Sequence, residues 1–199
     1  MTSTRALAPT HGKQHDSSAI RRTRWIVVTG VIVALLLGLL NFYLQVRRDE
    51  LPEEIEGVTM FTTLTSEVVE GPIVYDQRPP AGGPHAELPQ LCGYYRVPVQ
   101  DEYAVASLAT GAVWITYRPD IPEADQRDLR EIAEGELDVI LSPYEGQEAP
   151  IVFTAWERQL AVDDPNDERA EMFIYVYRDS ERAPQRDETC AAGMGLPVE

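Results

Sequence analysis

Residues 112–142 read AVWITYRPDIPEADQRDLREIAEGELDVILS, and the reading of this stretch decides the fold class. Ala112 to Tyr117 is β-branched and aromatic, which suits a pleated, half-buried strand. Asp120 and Pro122 then set up a helix start. The helix places Leu129, Ile132 and Ala133 on one face, three and four residues apart, and Gly135 ends it. Val139-Ile140-Leu141-Ser142 follows as a second strand. Strand, helix and strand in such a short span imply a right-handed crossover between parallel neighbours.

Working outward, Ile151 to Trp156 reads as a third strand, and Leu160 to Val162 adds an edge strand. Asp163 and Asp164 are expected to cap a final helix that Pro165 opens, with Met172, Phe173, Val176 and Tyr177 packing on the sheet. Upstream, Ile73-Val74-Tyr75 reads as a short strand, Arg78 to His85 as a Pro/Gly loop, and Tyr103 to Leu108 as a short helix. The expected class is α+β: a compact domain over 58–199 with a small mixed sheet and two main helices. Trp114 and Trp156, both in strands, read as core residues.

Ahead of that domain lies WIVVTGVIVALLLGLLNFYLQV, residues 25–46, with no charge in 22 positions. At about 1.5 Å per residue a helix of that length crosses the roughly 30 Å hydrocarbon layer of a bilayer. Fourteen of its residues are Leu, Ile, Val or Phe, and Trp25 and Phe42-Tyr43 suit the two interfaces. No small-residue cleavage pattern follows between Asn41 and Arg48, so an uncleaved transmembrane helix is expected. Arg21, Arg22 and Arg24, with Lys13 and Arg5 behind, outnumber Arg47 and Arg48, which keeps the N-terminus cytoplasmic and the C-terminal domain extracytoplasmic. Residues 1–24 are expected to be a disordered tail and 47–57 an acidic tether.

The chain carries 17 Lys+Arg against 33 Asp+Glu, a formal charge of −16. Beyond residue 48 there are ten basic and 32 acidic residues, a net of −22. A surface of that sign repels phosphates, so nucleic acid is excluded as a partner. The expected partners are the bilayer through 25–46 and a protein of the cell envelope.

Cys92 and Cys190 lie beyond the anchor, where disulfides persist. The expected use is a disulfide between them, closing a loop of nearly a hundred residues, with two free thiols or one soft metal ligand each as the alternatives. Of the three histidines, His11 and His15 sit in the tail and His85 in the Pro/Gly loop. Asp163-Asp164-Pro165-Asn166-Asp167-Glu168 has the composition of a calcium loop but lacks its Gly and distal Glu, so capping is the better reading. The chain has no Gly-x-Ser-x-Gly, His-Glu-x-x-His, phosphate loop or dinucleotide fingerprint.

One group of motifs carries a resemblance: Pro79-Pro80, Gly82-Gly83-Pro84-His85, Cys92-Gly93-Tyr94, Pro98-Val99, Gly111 to Pro119, Leu141-Ser142-Pro143-Tyr144 and Thr154-Ala155-Trp156. Together they resemble the bacterial family known as domain of unknown function 3105, over about 58–190. The resemblance implies an N-terminal membrane anchor and, ahead of the Trp-containing strand, a His-Ser-x-Glu-His-Gly cluster able to grip a metal. Here those positions are Ala106-Ser107-Leu108-Ala109-Thr110-Gly111, and Val68 stands where the family often has another His. The expected function is therefore a membrane-anchored, non-catalytic binding or structural module with no cofactor. The alternatives are a metal-handling envelope protein, copper or another transition metal, using His85 and Cys92, and a divergent hydrolase or redox enzyme.

Overall fold

A computed structural model describes residues 29–41, 54–62 and 64–198. The chain divides into two units, Met1–Leu51 and Pro52–Glu199.

In the first unit residues 29–41 are helical (α1). Val31, Ile32, Val33, Leu35, Leu36, Leu37, Leu39 and Leu40 each expose between 49% and 64% of their surface. At 100° per residue these positions cover about 240° of the helix and Gly30, Ala34, Gly38 and Asn41 take the remaining arc, so α1 has no charged face to turn to water. Among the described residues no helix is long and apolar enough to cross a membrane. The rest of the expected 25–46 span, the 1–24 tail and tether residues 47–53 lie outside the described residues.

The second unit is mixed α+β, with one six-stranded sheet whose strands lie in the order Val58–Met60 (β1), Arg158–Val162 (β6), Ile151–Ala155 (β5), Val113–Tyr117 (β3), Val139–Pro143 (β4) and Gly93–Tyr94 (β2). β3 (Val113–Tyr117) and β4 (Val139–Pro143) are parallel neighbours joined through helix α3 (Glu123–Glu134), as the spacing implies. The chain then crosses back: β5 (Ile151–Ala155) lies antiparallel on the other side of β3, and β6 (Arg158–Val162) forms a hairpin with it. Two short strands complete the sheet. β1 (Val58–Met60) pairs antiparallel with β6, and β2 (Gly93–Tyr94) pairs parallel with β4.

Both faces of the sheet are covered. Val113, Ile115, Tyr117, Val139, Leu141, Ile151 and Phe153 point to one face, where α3 supplies Leu129 and Ala133 and α4 (Glu168–Tyr177) supplies Phe173, Ile174 and Tyr177. Trp114, Ile140 and Trp156 belong to the other face, which α2 (Asp101–Ala109) covers with Ala104, Val105, Leu108 and Ala109. Each fully buried Leu, Ile or Phe contributes roughly 1.5–3 kcal/mol, so the two layers together hold the domain.

α2 is buried at six consecutive positions, Ala104 to Ala109, which no amphipathic surface helix tolerates. It ends at Ala109 with Thr110 as its C-cap, and Gly111, with φ of +95°, turns the chain into β3. A Cβ there would sit 3.0 Å from the Asp179 Cα.

Four expectations need correcting. Ile73–Tyr75 is not a strand: the Ile73 N–H donates to Glu102 Oε1 (2.7 Å), and Val74 is 96% exposed. The last helix starts at Glu168 and is capped by Asp167, which accepts from Arg169 N–H; Asp164 instead turns the preceding loop by accepting from Asn166 N–H. The strand at Leu160–Val162 is the second half of β6, which is not the outermost strand: β1 pairs with Arg158, Gln159 and Leu160, while Ala161 and Val162 extend beyond that pairing. α2 is a third helix of the domain and runs longer than Tyr103–Leu108.

Candidate functional site

The face carrying α2 and Trp156 holds His85, one of the side chains that the sequence singled out. Beside α2 the Pro/Gly loop packs against the β5–β6 hairpin. Glu157 N–H donates to Ala81 O (2.8 Å) and Gln159 Nε2 to Pro79 O (2.7 Å). Pro and Gly suit this loop because neither brings a bulky side chain or many donors into a buried crossing.

His85 ends that loop with no exposed surface. Its Nδ1 lies 3.0 Å from Gly83 O, to which it donates, and the ring meets Trp156 edge-on at 5.9 Å. Its backbone accepts from Val69 N–H and donates to Glu67 O, both at 2.9 Å. Nε2 has no hydrogen-bond partner among the described residues. His85 is thus a core residue joining the loop to residues 67–69.

A second polar group sits at the start of α2. Tyr144 OH donates to Asp101 Oδ2 (3.0 Å), Glu102 receives the Ile73 N–H, and Tyr75 OH donates to Pro84 O (2.6 Å). Burial pushes the Asp101 carboxyl above its ordinary range, opposed by the Tyr144 hydrogen bond; Glu102 adds to the rise and Arg78 works against it. Burial, reinforced by the nearby carboxylates, also lifts both the Tyr75 and Tyr144 phenols above their ordinary range. Both phenols therefore stay protonated and act as donors. The carboxylates at the helix start also suit its dipole. The arrangement fastens residues 73–84 to α2 and contains no nucleophile paired with a base.

Cys92 and Cys190 are bonded, with S–S 1.96 Å and Cα atoms 5.5 Å apart. The bridge holds the C-terminal tail along residues 89–95, where Met194 N–H donates to Pro89 O (2.8 Å), Leu91 N–H to Met194 O (2.7 Å) and Val198 N–H to Tyr94 O (2.7 Å). Asp138, the residue before β4, adopts a left-handed φ of 58° and accepts from Thr189 Oγ1 (3.2 Å). Its Oδ1 stands 3.4 Å from Cys190 Sγ. A cleft of about 490 Å³ opens over this group, lined by Leu91, Gly93, Leu137 and Ala191.

Among the described residues, Cys92, Asp138 and Cys190 are the one group of three or more His, Cys, Asp or Glu side chains close enough for a shared ion, with ligand atoms within 4.8 Å. His85 is not in it. While the disulfide stands, neither sulfur is the thiolate that a metal needs. A separate cleft between α3 and the start of α4, about 570 Å³, is lined by Asp128, Glu131, Asp167, Glu168 and Glu171. There Asp167 is already engaged by Arg169 at 2.6 Å, which with the helix cap lowers its pKa to about 2.

Asp138 and the Asp101–Tyr144 pair went unnoticed in the sequence. Asp138 is 46 residues from one cysteine and 52 from the other, a spacing that carries no signal, though an Asp between Leu137 and Val139 is a clue to a left-handed turn. Ala106, Ala109 and Thr110, where the resemblance implies imidazoles and a carboxylate, are all buried.

Fold and geometry define a class: a disulfide-stapled α+β domain whose buried polar groups fasten loops to a two-sided sheet. More particularly, the chain belongs to the family described as protein of unknown function (DUF3105), whose sequence profile matches residues 68–192. No curated protein and no solved structure matches it.

Proposed function

We propose that this chain is a single-pass membrane protein holding an acidic, non-catalytic binding module on the extracytoplasmic side. The observation that carries the reading is α1, uncharged on every side with eight exposed large apolar residues, within a 22-residue uncharged stretch flanked by arginines. The disulfide agrees with an oxidising compartment. The module reading rests on how the polar cluster is used: the Tyr75, Tyr144 and Glu102 side chains each spend a hydrogen bond on fastening a loop or helix start.

Topology is tested with a C-terminal tag in intact spheroplasts. External protease removes the tag while the membrane stays closed, and replacing Arg21, Arg22 and Arg24 by Asn reduces the removable fraction. A tag that stays protected until lysis, or a mature chain beginning after residue 46, overturns the proposal.

A further inference from the structure

We propose that Cys92, Cys190 and Asp138 form a redox-gated site for a zinc-class divalent cation, closed while the two sulfurs are bonded to each other. This inference stands independently of the tethering role.

The observation behind it is the position of Asp138. Its carboxylate lies 3.4 Å from Cys190 Sγ, on a residue with φ 58°. A disulfide sulfur has no proton to donate, so the oxidised bridge returns nothing to a partly buried carboxylate beyond the Thr189 hydroxyl bond. Reduction changes that balance. Two thiolates and a carboxylate then converge, with all three ligand atoms already within 4.8 Å. Tetrahedral zinc with Zn–S of about 2.3 Å sets its sulfurs about 3.8 Å apart. Cα atoms 5.5 Å apart permit that separation by side-chain rotation.

The donor set selects the ion. Two soft sulfurs and one hard oxygen suit zinc-class cations, whereas calcium and magnesium ask for an all-oxygen shell. Three protein ligands leave the fourth position to water from the open cleft, the pattern of an exchangeable rather than a structural site. The net charge of −22 over residues 49–199 as a whole also favours a cation over an anion. The electrons come from a dithiol: it gives two electrons and two protons to the Cys92–Cys190 bond and ends as a disulfide, leaving two thiols. The incoming cation then displaces both thiol protons, which pass to solvent.

The test uses the full chain in detergent micelles, oxidised and reduced, titrated with Co²⁺ and dialysed against Zn²⁺. The reduced chain binds one equivalent of Co²⁺ with a thiolate-to-cobalt charge-transfer band, and the oxidised chain gives no such band. Asp138→Asn, which tolerates the left-handed backbone, keeps the band but weakens binding tenfold or more. Glu136→Gln, in the same cleft, changes nothing. Absence of the band, or equal affinity in Asp138→Asn, overturns the site. Because opening the crosslink also loosens the fold, thermal unfolding of the reduced chain is followed with and without Zn²⁺. A zinc-dependent rise in Tm that shrinks in Asp138→Asn supports the site; a Tm that zinc leaves unchanged overturns it.

Discussion

Replacing both cysteines by serine is the most informative perturbation of the fold. The bridge closes a separation of 98 residues, and restricting the unfolded chain over such a loop stabilises the native state by about 4.7 kcal/mol in the chain-entropy treatment. Position 190 has no exposed surface, so its new hydroxyl must find a partner. Asp138 Oδ1, 3.4 Å from the present sulfur, supplies one and returns about 1 kcal/mol. The expected net loss is about 3–4 kcal/mol, a large share of the 5–15 kcal/mol typical of a domain. Urea unfolding of the Pro52–Glu199 unit, followed by fluorescence of the buried Trp114 and Trp156, measures it. The m-value should rise, since the unfolded chain exposes more surface without the crosslink. A loss under about 1 kcal/mol, or two maleimide-reactive thiols in the unreduced native protein, would show that the bridge does not hold the tail as described.

Three smaller perturbations test particular contacts. Gly111→Ala places a Cβ 3.0 Å from the Asp179 Cα at φ +95°, and should cost about 2 kcal/mol or more in the same urea assay; a cost below about 0.5 kcal/mol would mean that the close approach is not real. Asp167→Ala removes the α4 cap and the Arg169 pair, costing about 1 kcal/mol at pH 7. Because folding lowers the Asp167 pKa to about 2, its contribution is complete above its unfolded value near 3.8 and fades as pH falls towards 2, so variant and parent should converge there. Tyr144→Phe deletes the hydrogen bond that steadies the Asp101 carboxylate and should cost about 1–2 kcal/mol at neutral pH. Folding raises the Asp101 pKa, so the native state favours its protonated form and loses stability as pH climbs from about 3.8 through the raised value. The Tyr144→Phe deficit should accordingly grow over that window, and a deficit independent of pH would separate the hydroxyl from Asp101.

The first face of the sheet was legible because it obeys simple periods. Val113, Ile115 and Tyr117 alternate with Trp114 and Thr116, and Leu129, Ile132 and Ala133 mark one helix stripe, so β3, α3 and β4 emerge from pattern alone. What failed was local chemistry with several outlets. Asp163, Asp164 and Asp167 all offer a capping carboxylate, and only the native turn decides that Asp167 takes the helix. Ile73-Val74-Tyr75 has strand propensity, yet the ladder partner it would need is supplied by the Glu102 side chain 29 residues away. β1 and β2, three and two residues long, fall below the length at which alternation can be seen.

The candidate site was less legible for a related reason. His85 drew notice for its residue type, but its chemistry depends on burial against Trp156, which no loop motif encodes. Cys92 and Cys190 announced themselves as a pair, whereas their neighbour Asp138 is selected by tertiary structure: the turn that follows α3 leaves Asp138 in a left-handed conformation, and Thr189, beside Cys190, holds the carboxylate. Gly or Asn would make that turn as readily as Asp, and neither brings a charge to a sulfur. Asp138→Gly and Asp138→Asn therefore divide the two explanations. If the turn is the whole reason for Asp138, both variants unfold at least as late as the parent in the oxidised state, and reduction with zinc reveals no difference. If the carboxylate is there for a cation, the oxidised variants are equally stable or more so, and only the reduced, zinc-treated parent gains stability that they cannot match.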